Sequence, residues 1–204
     1  MNPNGLVVAI SAPSGTGKGT LLSLLVKVNN NVRFSISATT RKPREGEIDG
    51  RNYFFKTVDE FRDMIKAGEL MEWVEYCDNY YGTPRKYVED TIRQGFDVVL
   101  EVEVEGALSI RKMYPESVLV FVLPPSLEEL KRRIVGRGTE HPDVIEKRIE
   151  AAKKEITYLD RYDYLVVNSD VESAVNDINS ILKAEKLKYR NNKTLFRLEE
   201  WTDD

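Results

Sequence analysis

The chain has almost no cysteine or histidine. Its one cysteine, Cys77, excludes an internal disulfide and any zinc cage built from thiolates. A half-buried, unreactive thiol is the expected role. The one histidine, His141, stands next to Pro142 in a polar stretch, where a capping or solvent role suits it better than general-base work. No apolar run approaches the roughly 20 residues of a membrane helix, and the opening MNPNGLVVAIS carries neither a charged leader region nor a cleavage site. A cytoplasmic protein is expected. An excess of positive charge is also missing: 30 Lys and Arg face 34 Asp and Glu, for a net charge of -4. That balance argues against a nucleic-acid partner held by charge alone, so any basic site must be local. There is no internal repeat and no low-complexity segment. What remains, at 204 residues, is a soluble domain with one core and room for a small inserted piece.

Short β-branched runs alternate with helical patterns. LVVAIS (6–11), VRFSIS (32–37), DVVLEVEV (97–104), SVLVFVL (117–123) and DYLVVN (163–168) read as buried strands of a parallel sheet. Between them, Lys18 to Val28 has apolar residues at helical spacing, EGALSIRKMYPE follows the third run, and SLEELKRRIV opens with Ser126 ahead of Glu128 and Glu129, a good helix start. The repeated βαβ pattern predicts an α/β fold with a parallel sheet flanked by helices. Residues 38–84 break it. TTRKPREGEIDGRNYFF is too polar for a core helix, and ELMEWVEY with NYYGT reads as short antiparallel strands. The expected organisation is a core formed by 1–37 and 85–204, with an inserted subdomain at 38–84. Val171 to Leu187 reads as one amphipathic helix, followed by a polar tail.

The stretch AISAPSGTGKGTLLSLL (9–25) runs from strand through a glycine loop into a helix, the context that makes a glycine pattern a phosphate-binding expectation. Gly15 and Gly17 let the backbone turn so that successive N–H groups point inward. The helix from Lys18 adds the positive end of its dipole, and Lys18 adds a mobile cation. A plain strand-to-helix turn explains neither the glycines framing Thr16 nor the lysine at the mouth. Against the pattern G-x-x-x-x-G-K-[ST], Ala12 replaces the first glycine and Gly19 the hydroxyl residue, with Thr20 one place later. PSGTGKGT resembles the form found in nucleoside monophosphate kinases. The expected ATP loop therefore runs from Ala12, Pro13 and Ser14 through Gly15, Thr16 and Gly17 to Lys18, Gly19 and Thr20. Mg²⁺ is expected to arrive with ATP, held chiefly by phosphate oxygens and water.

A loop that holds ATP does not name the acceptor. In the insert, Arg41 and Arg44 share a proline-containing turn with Tyr53 downstream. Two guanidinium forks and a phenol can gather a phosphate dianion, although a solvated charged loop explains two arginines equally well. With SISATTRKPREGE.DG..Y.F, EW, NYYGT and GRGTE in place, the chain resembles guanylate kinases from Lys18 to the last helix. The resemblance implies that Arg41, Arg44, Tyr53 and Tyr81 bind the GMP phosphate, and that Glu47 is also a GMP-binding residue. Ser37, Glu72 and Thr83 would face the guanine. Guanine offers N1–H and N2–H₂ as adjacent donors for a carboxylate, and O6 as an acceptor for a hydroxyl. Glu72, next to Trp73 in an apolar strand, is an odd place for a charge without a partner.

Where the family pattern has Asp-x-Asp at the end of the central strand, this chain has Glu101, Val102 and Glu103, with Glu105 replacing a common Gln. Each carboxylate is one methylene longer. By resemblance, Glu103 is directed toward the base amino group and Glu101 toward the shell of the metal; a solvated acidic strand end is the bland alternative. Gly136 and Gly138 flank Arg137, with Arg133 before and Arg148 after, and the resemblance makes this a lid of arginines, about 136–150, closing on the triphosphate. The expected catalytic set is Lys18, Arg41, Glu101, Arg133, Arg137 and Arg148. ATP and GMP are the expected partners, and the oligomeric state is left open, a homodimer included. The alternative is a non-catalytic interaction module of guanylate-kinase type, although such modules typically lose the ATP loop. A GTPase is disfavoured because Asn192 and Lys193 run on to Thr194 and Leu195 without the guanine-reading aspartate. Adenylate kinase is disfavoured because the Glu72 carboxylate would face the acceptor N1 of adenine.

Overall fold

The first strand, β1 (Val7–Ser11), is buried on both faces, as its unbroken run VVAIS requires of an interior parallel strand. The computed structural model describes residues 5–76, 78–136 and 142–191. From β1 the chain passes through the glycine loop into α1 (Lys18–Val28) and returns as β2 (Val32–Phe34). It then leaves the sheet to form β3 (Ala38–Thr39), β4 (Phe54–Phe55), α2 (Val58–Lys66), β5 (Leu70–Tyr76) and β6 (Asn79–Pro84). Helix α3 (Arg85–Arg93) leads back into β7 (Asp97–Glu101), α4 (Val104–Met113), β8 (Val118–Leu123) and α5 (Leu127–Val135). The last elements are α6 (Pro142–Ile156), β9 (Tyr164–Val167) and α7 (Val171–Leu187).

Two sheets result. The first is parallel throughout, in the order β2-β7-β1-β8-β9. The second has the order β4-β3-β6-β5, with β3–β6 and β5–β6 antiparallel and the short β3–β4 pair parallel. Side chains alternate across the first sheet. Val8 and Ile10 join Leu21, Leu25, Ile178 and Leu182 on the face covered by α1 and α7, while Val7 and Ala9 join Val88, Ala107 and Ile110 beneath α3 and α4. The one core expected from length is thus split by the sheet. A separate small cluster of Ala38, Phe61 and Leu70 supports the second sheet, and Leu130, Ile134 and Ala152 join α5 to α6.

Several expectations need adjusting. VRFSIS is a strand only as far as Phe34. Ser35 still donates to the Val99 carbonyl (2.9 Å), but Ser37 already accepts from Phe54 in the second sheet (2.8 Å), so the chain changes sheets between them. DVVLEVEV ends as a strand at Glu101, because its neighbour β1 ends at Ser11; Val102 makes a last bond to Ile10 (3.2 Å), and Val104 begins α4. Helix α2 lies unforeseen within the insert, started by a reciprocal cap between Thr57 and Glu60. Of the expected lid, residues 142–150 form the first part of α6. Arg137, His141 and Cys77 lie outside the described residues. Among the described residues no helix is long and apolar enough to cross a membrane.

Candidate active site

The glycine loop lies at the C-terminal edge of the first sheet. Gly15 and Gly17 hold φ of +96° and +85°, a region costly for any side chain. Thr16 closes the loop on itself, donating from N (3.3 Å) and from Oγ1 (2.9 Å) to the Pro13 carbonyl. The first N–H groups of α1 have no acceptor within the helix, which leaves a positive rim for an anion. Only 12% of the Lys18 side chain is exposed, and its Nζ lies 3.8 Å from Glu101 Oε1 at the end of β7.

Two of the three expected lid arginines reach this loop. Arg148 donates from NH1 to Ser14 Oγ (3.3 Å). Arg133 donates from Nε to Glu129 (2.7 Å), from NH1 to the Thr16 carbonyl (3.2 Å) and from NH2 to the Asn168 carbonyl (3.1 Å). Arg132 and Arg133 pull the Glu129 carboxyl down to about 2. Asn168, just past β9, donates from Nδ2 to the same Thr16 carbonyl at 2.7 Å and is only 1% exposed. The sequence reading missed it. Its one signal was a polar residue ending the otherwise apolar run DYLVVN.

The second sheet gathers the other candidates. Arg41 donates from NH2 to Glu47 Oε1 (2.8 Å), and the second carboxylate oxygen of Glu47 accepts from the Arg44 backbone N (2.7 Å). This pairing raises the Arg41 pKa and lowers that of Glu47, and in each case the hydrogen bond between them is the main cause. The Arg41 guanidinium sits 5.3 Å from the Tyr53 ring centre, and Tyr53 meets Tyr81 edge-on at 6.2 Å. Arg44 enters this group through its backbone and its charge on Glu47, its own side chain being exposed. Ser37 contributes its carbonyl to Phe54. Because Ala38 pairs with Gly82, Ser37 lies at the level of Thr83.

Glu72 has the partner its position demands: Thr83 Oγ1 donates to Glu72 Oε1 at 2.5 Å. Burial pushes the Glu72 pKa up, the Thr83 bonds oppose the shift, and the charge of Glu103 adds to it. A methyl group on Gly106 would stand 3.3 Å from Glu72 Oε2, so α4 packs close against this carboxylate. Glu103, at the start of α4, also acts on Glu155 of α6, and Lys18 acts on Glu155 in the opposite sense. Glu72, Glu103 and Glu155 therefore link the two halves electrostatically. Among the described residues no three His, Cys, Asp or Glu side chains are grouped to hold a metal ion.

Burial, aided by Glu103, raises Glu155 from 4.5 to about 7. Folding then takes up a proton at Glu155 between those values, so this group's contribution to stability is full below pH 4.5 and is lost as pH rises through about 7. Glu155→Gln removes this dependence. Its melting temperature relative to the parent should rise across that window and level off above it; a pH-independent difference contradicts the assignment.

A profile of the guanylate kinase family matches residues 4–185. The guanylate kinase of Halalkalibacterium halodurans is 54% identical over 184 residues, 90% of each chain. That of Bacillus subtilis is 52% identical over 189 residues, covering 92% of this chain and 93% of its own. The crystal structure of guanylate kinase from Anaplasma phagocytophilum superimposes with a TM-score of 0.71 at 34% identity, covering 91% of this chain and 88% of that one. With the family profile spanning residues 4–185 and relatives 54% and 52% identical over 90% and 92% of its length, this chain belongs to the guanylate kinase family.

Proposed function

We propose that the site is divided between two nucleotides. The loop from Ala12 to Thr20, with Lys18, Arg133, Arg137 and Arg148, holds ATP; Arg41, Arg44, Tyr53 and Tyr81 hold the phosphate of GMP, with Glu47 in the GMP site through its bond to Arg41, and Ser37, Glu72, Thr83 and Glu103 read the base. The chain transfers the γ-phosphoryl group of ATP to GMP, giving ADP and GDP, which is the reaction of its family. The observation that carries the division is the Glu72–Thr83 pair in the second sheet, a part-buried acceptor beside a hydroxyl, matched to the donors and O6 of guanine.

Phosphoryl transfer needs positioning and charge neutralisation more than a nucleophilic side chain, because the attacking oxygen is already anionic. Lys18 and the arginines neutralise the triphosphate, and closure of residues 136–150 excludes the water that would otherwise accept the phosphoryl group. Mg²⁺, bound to ATP, supplies further charge neutralisation. Glu101, whose Oε1 lies 3.8 Å from Lys18 Nζ, would meet the water shell of that ion. Residues 38–84 serve as the GMP-binding unit, and 1–37 with 85–204 as the ATP-binding core. A cytoplasmic location and small-molecule substrates complete the reading. The binding-only alternative is disfavoured by the intact Lys18 loop.

A coupled ADP assay across GMP, dGMP, IMP and AMP tests the reaction. Within it, Arg41→Ala should raise KM for GMP by about 10- to 100-fold, the effect of losing hydrogen bonds to a charged group, with KM for ATP little changed. Equal effects on both substrates would show the two sites to be wrongly separated.

A further inference from the structure

The glycines that let the ATP loop fold also leave it underdetermined. Gly17 can exchange a positive for a negative φ at little steric cost, so the peptide joining Thr16 to Gly17 can rotate unless something outside the loop fixes it. In a planar trans peptide the C=O and the following N–H point in opposite directions. Fixing the Thr16 carbonyl therefore aims the Gly17 N–H.

Two donors from distant parts of the chain converge on that carbonyl. Asn168 Nδ2 reaches it at 2.7 Å and Arg133 NH1 at 3.2 Å. Asn168 is itself pinned, its backbone N bonded to the Leu123 carbonyl (2.7 Å) at the end of β8 and its carbonyl bonded by Arg133 (3.1 Å). A Cβ on Gly17 would stand 3.2 Å from Asn168 Nδ2, so the glycine supplies room for the side chain that locks it. We propose that Asn168, together with Arg133, is a positioning residue for phosphate binding: it clamps the Thr16 carbonyl on the outer side of the loop and so turns the Gly17 N–H toward the ATP phosphates. The inference rests on reading Ala12 to Thr20 as the phosphate loop. Arg133 thereby ties the expected lid segment to the geometry of the loop, since Gly136 follows directly after its helix.

The test uses Asn168→Asp, which keeps the size but presents an acceptor to the Thr16 carbonyl, and Asn168→Ala, which removes the donor without adding charge. The probe is inorganic tripolyphosphate with Mg²⁺, which has the phosphates of ATP and no base, titrated by calorimetry into each full-length variant. Both variants should weaken its binding by about 10- to 100-fold, as losing the shorter of the two bonds that hold the Thr16 carbonyl predicts, with GMP binding unchanged within about twofold. Lys18→Ala is the control for the loop itself. If Lys18→Ala weakens tripolyphosphate and both Asn168 variants bind it like the parent, the clamp is overturned and the loop reading stands. Weakened ATP binding with unaltered tripolyphosphate binding overturns it too, because Asn168 would then act on the base. So does an equal loss of tripolyphosphate and GMP binding with a lowered melting temperature, the mark of a merely structural residue.

Discussion

Replacing Lys18 with alanine should lower kcat by about 100- to 1,000-fold, the usual effect of removing one preorganised group from a centre of developing charge. The lysine stands where the loop, the end of β7 and the start of α1 meet, with most of its side chain enclosed. Stability should scarcely change. Its contact with Glu101 is long at 3.8 Å, and the glutamate side chain is 37% exposed, so the pair contributes about 0–1 kcal/mol. A cation in the first turn of a helix also opposes the helix dipole, so its loss relieves a small repulsion. The measurement is kcat at saturating ATP and GMP, alongside a thermal melt. A kcat within about threefold of the parent would remove Lys18 from the chemistry.

Glu72→Gln should invert the usual link between stability and activity. The parent should prefer GMP to IMP, and discriminate against AMP by about 10⁴-fold, because a site built around an acceptor rejects a base that cannot donate to it. Glutamine replaces one acceptor oxygen with a donor and removes the charge that N1–H and N2–H₂ require. The variant should therefore lose kcat/KM for GMP heavily and narrow the GMP-to-AMP ratio by about 100-fold. Glu103→Gln should act in the same direction more weakly. Burial raises the Glu72 pKa, so folding costs the ionised group stability that falls away as pH rises above 4.5. Glu72→Gln should consequently melt no lower than the parent at neutral pH, and higher as the burial cost is relieved. An unchanged GMP-to-AMP ratio would hand base recognition to Ser37 and Thr83.

Which features could be read from the sequence follows from how far apart the cooperating residues lie. The glycine loop proposed to hold ATP is local: strand, glycines and helix adjoin, and Gly15, Gly17 and Lys18 carry the pattern within a few positions. The antiparallel pairing of β5 with β6 was legible for the same reason, since NYYGT follows closely on ELMEWVEY. Helix α2 was written in its cap, Thr57 with Glu60, but Phe61 is its one fully buried side chain, and a polar helix with so narrow an apolar stripe leaves little periodicity to detect. The Arg41–Glu47 pair is close in sequence, yet only coordinates show that Glu47 occupies the guanidinium. The bond between Asn168 and Thr16 joins residues 152 positions apart, and nothing in either neighbourhood announces the other. Glu155 owes its raised pKa first to burial and then to the charge of Glu103, with Lys18 opposing, a property of assembly and not of any motif.

The strand order also bears on how the chain finds its fold. β2 and β7 lie side by side, Val32 opposite Asp97, although the whole second sheet separates them along the chain. Closing so long a loop has an entropic cost before any contact repays it, and the cost grows with the logarithm of loop length. The β5–β6 hairpin has no such obstacle and can close in microseconds. Once β3 then joins β6, with Ala38 opposite Gly82, the two ends of the intervening segment are already neighbours, and little free chain remains between them and the β2–β7 register. The second sheet thus doubles as an internal splint, shortening the free loop that must still close at the sheet edge beside which it is inserted.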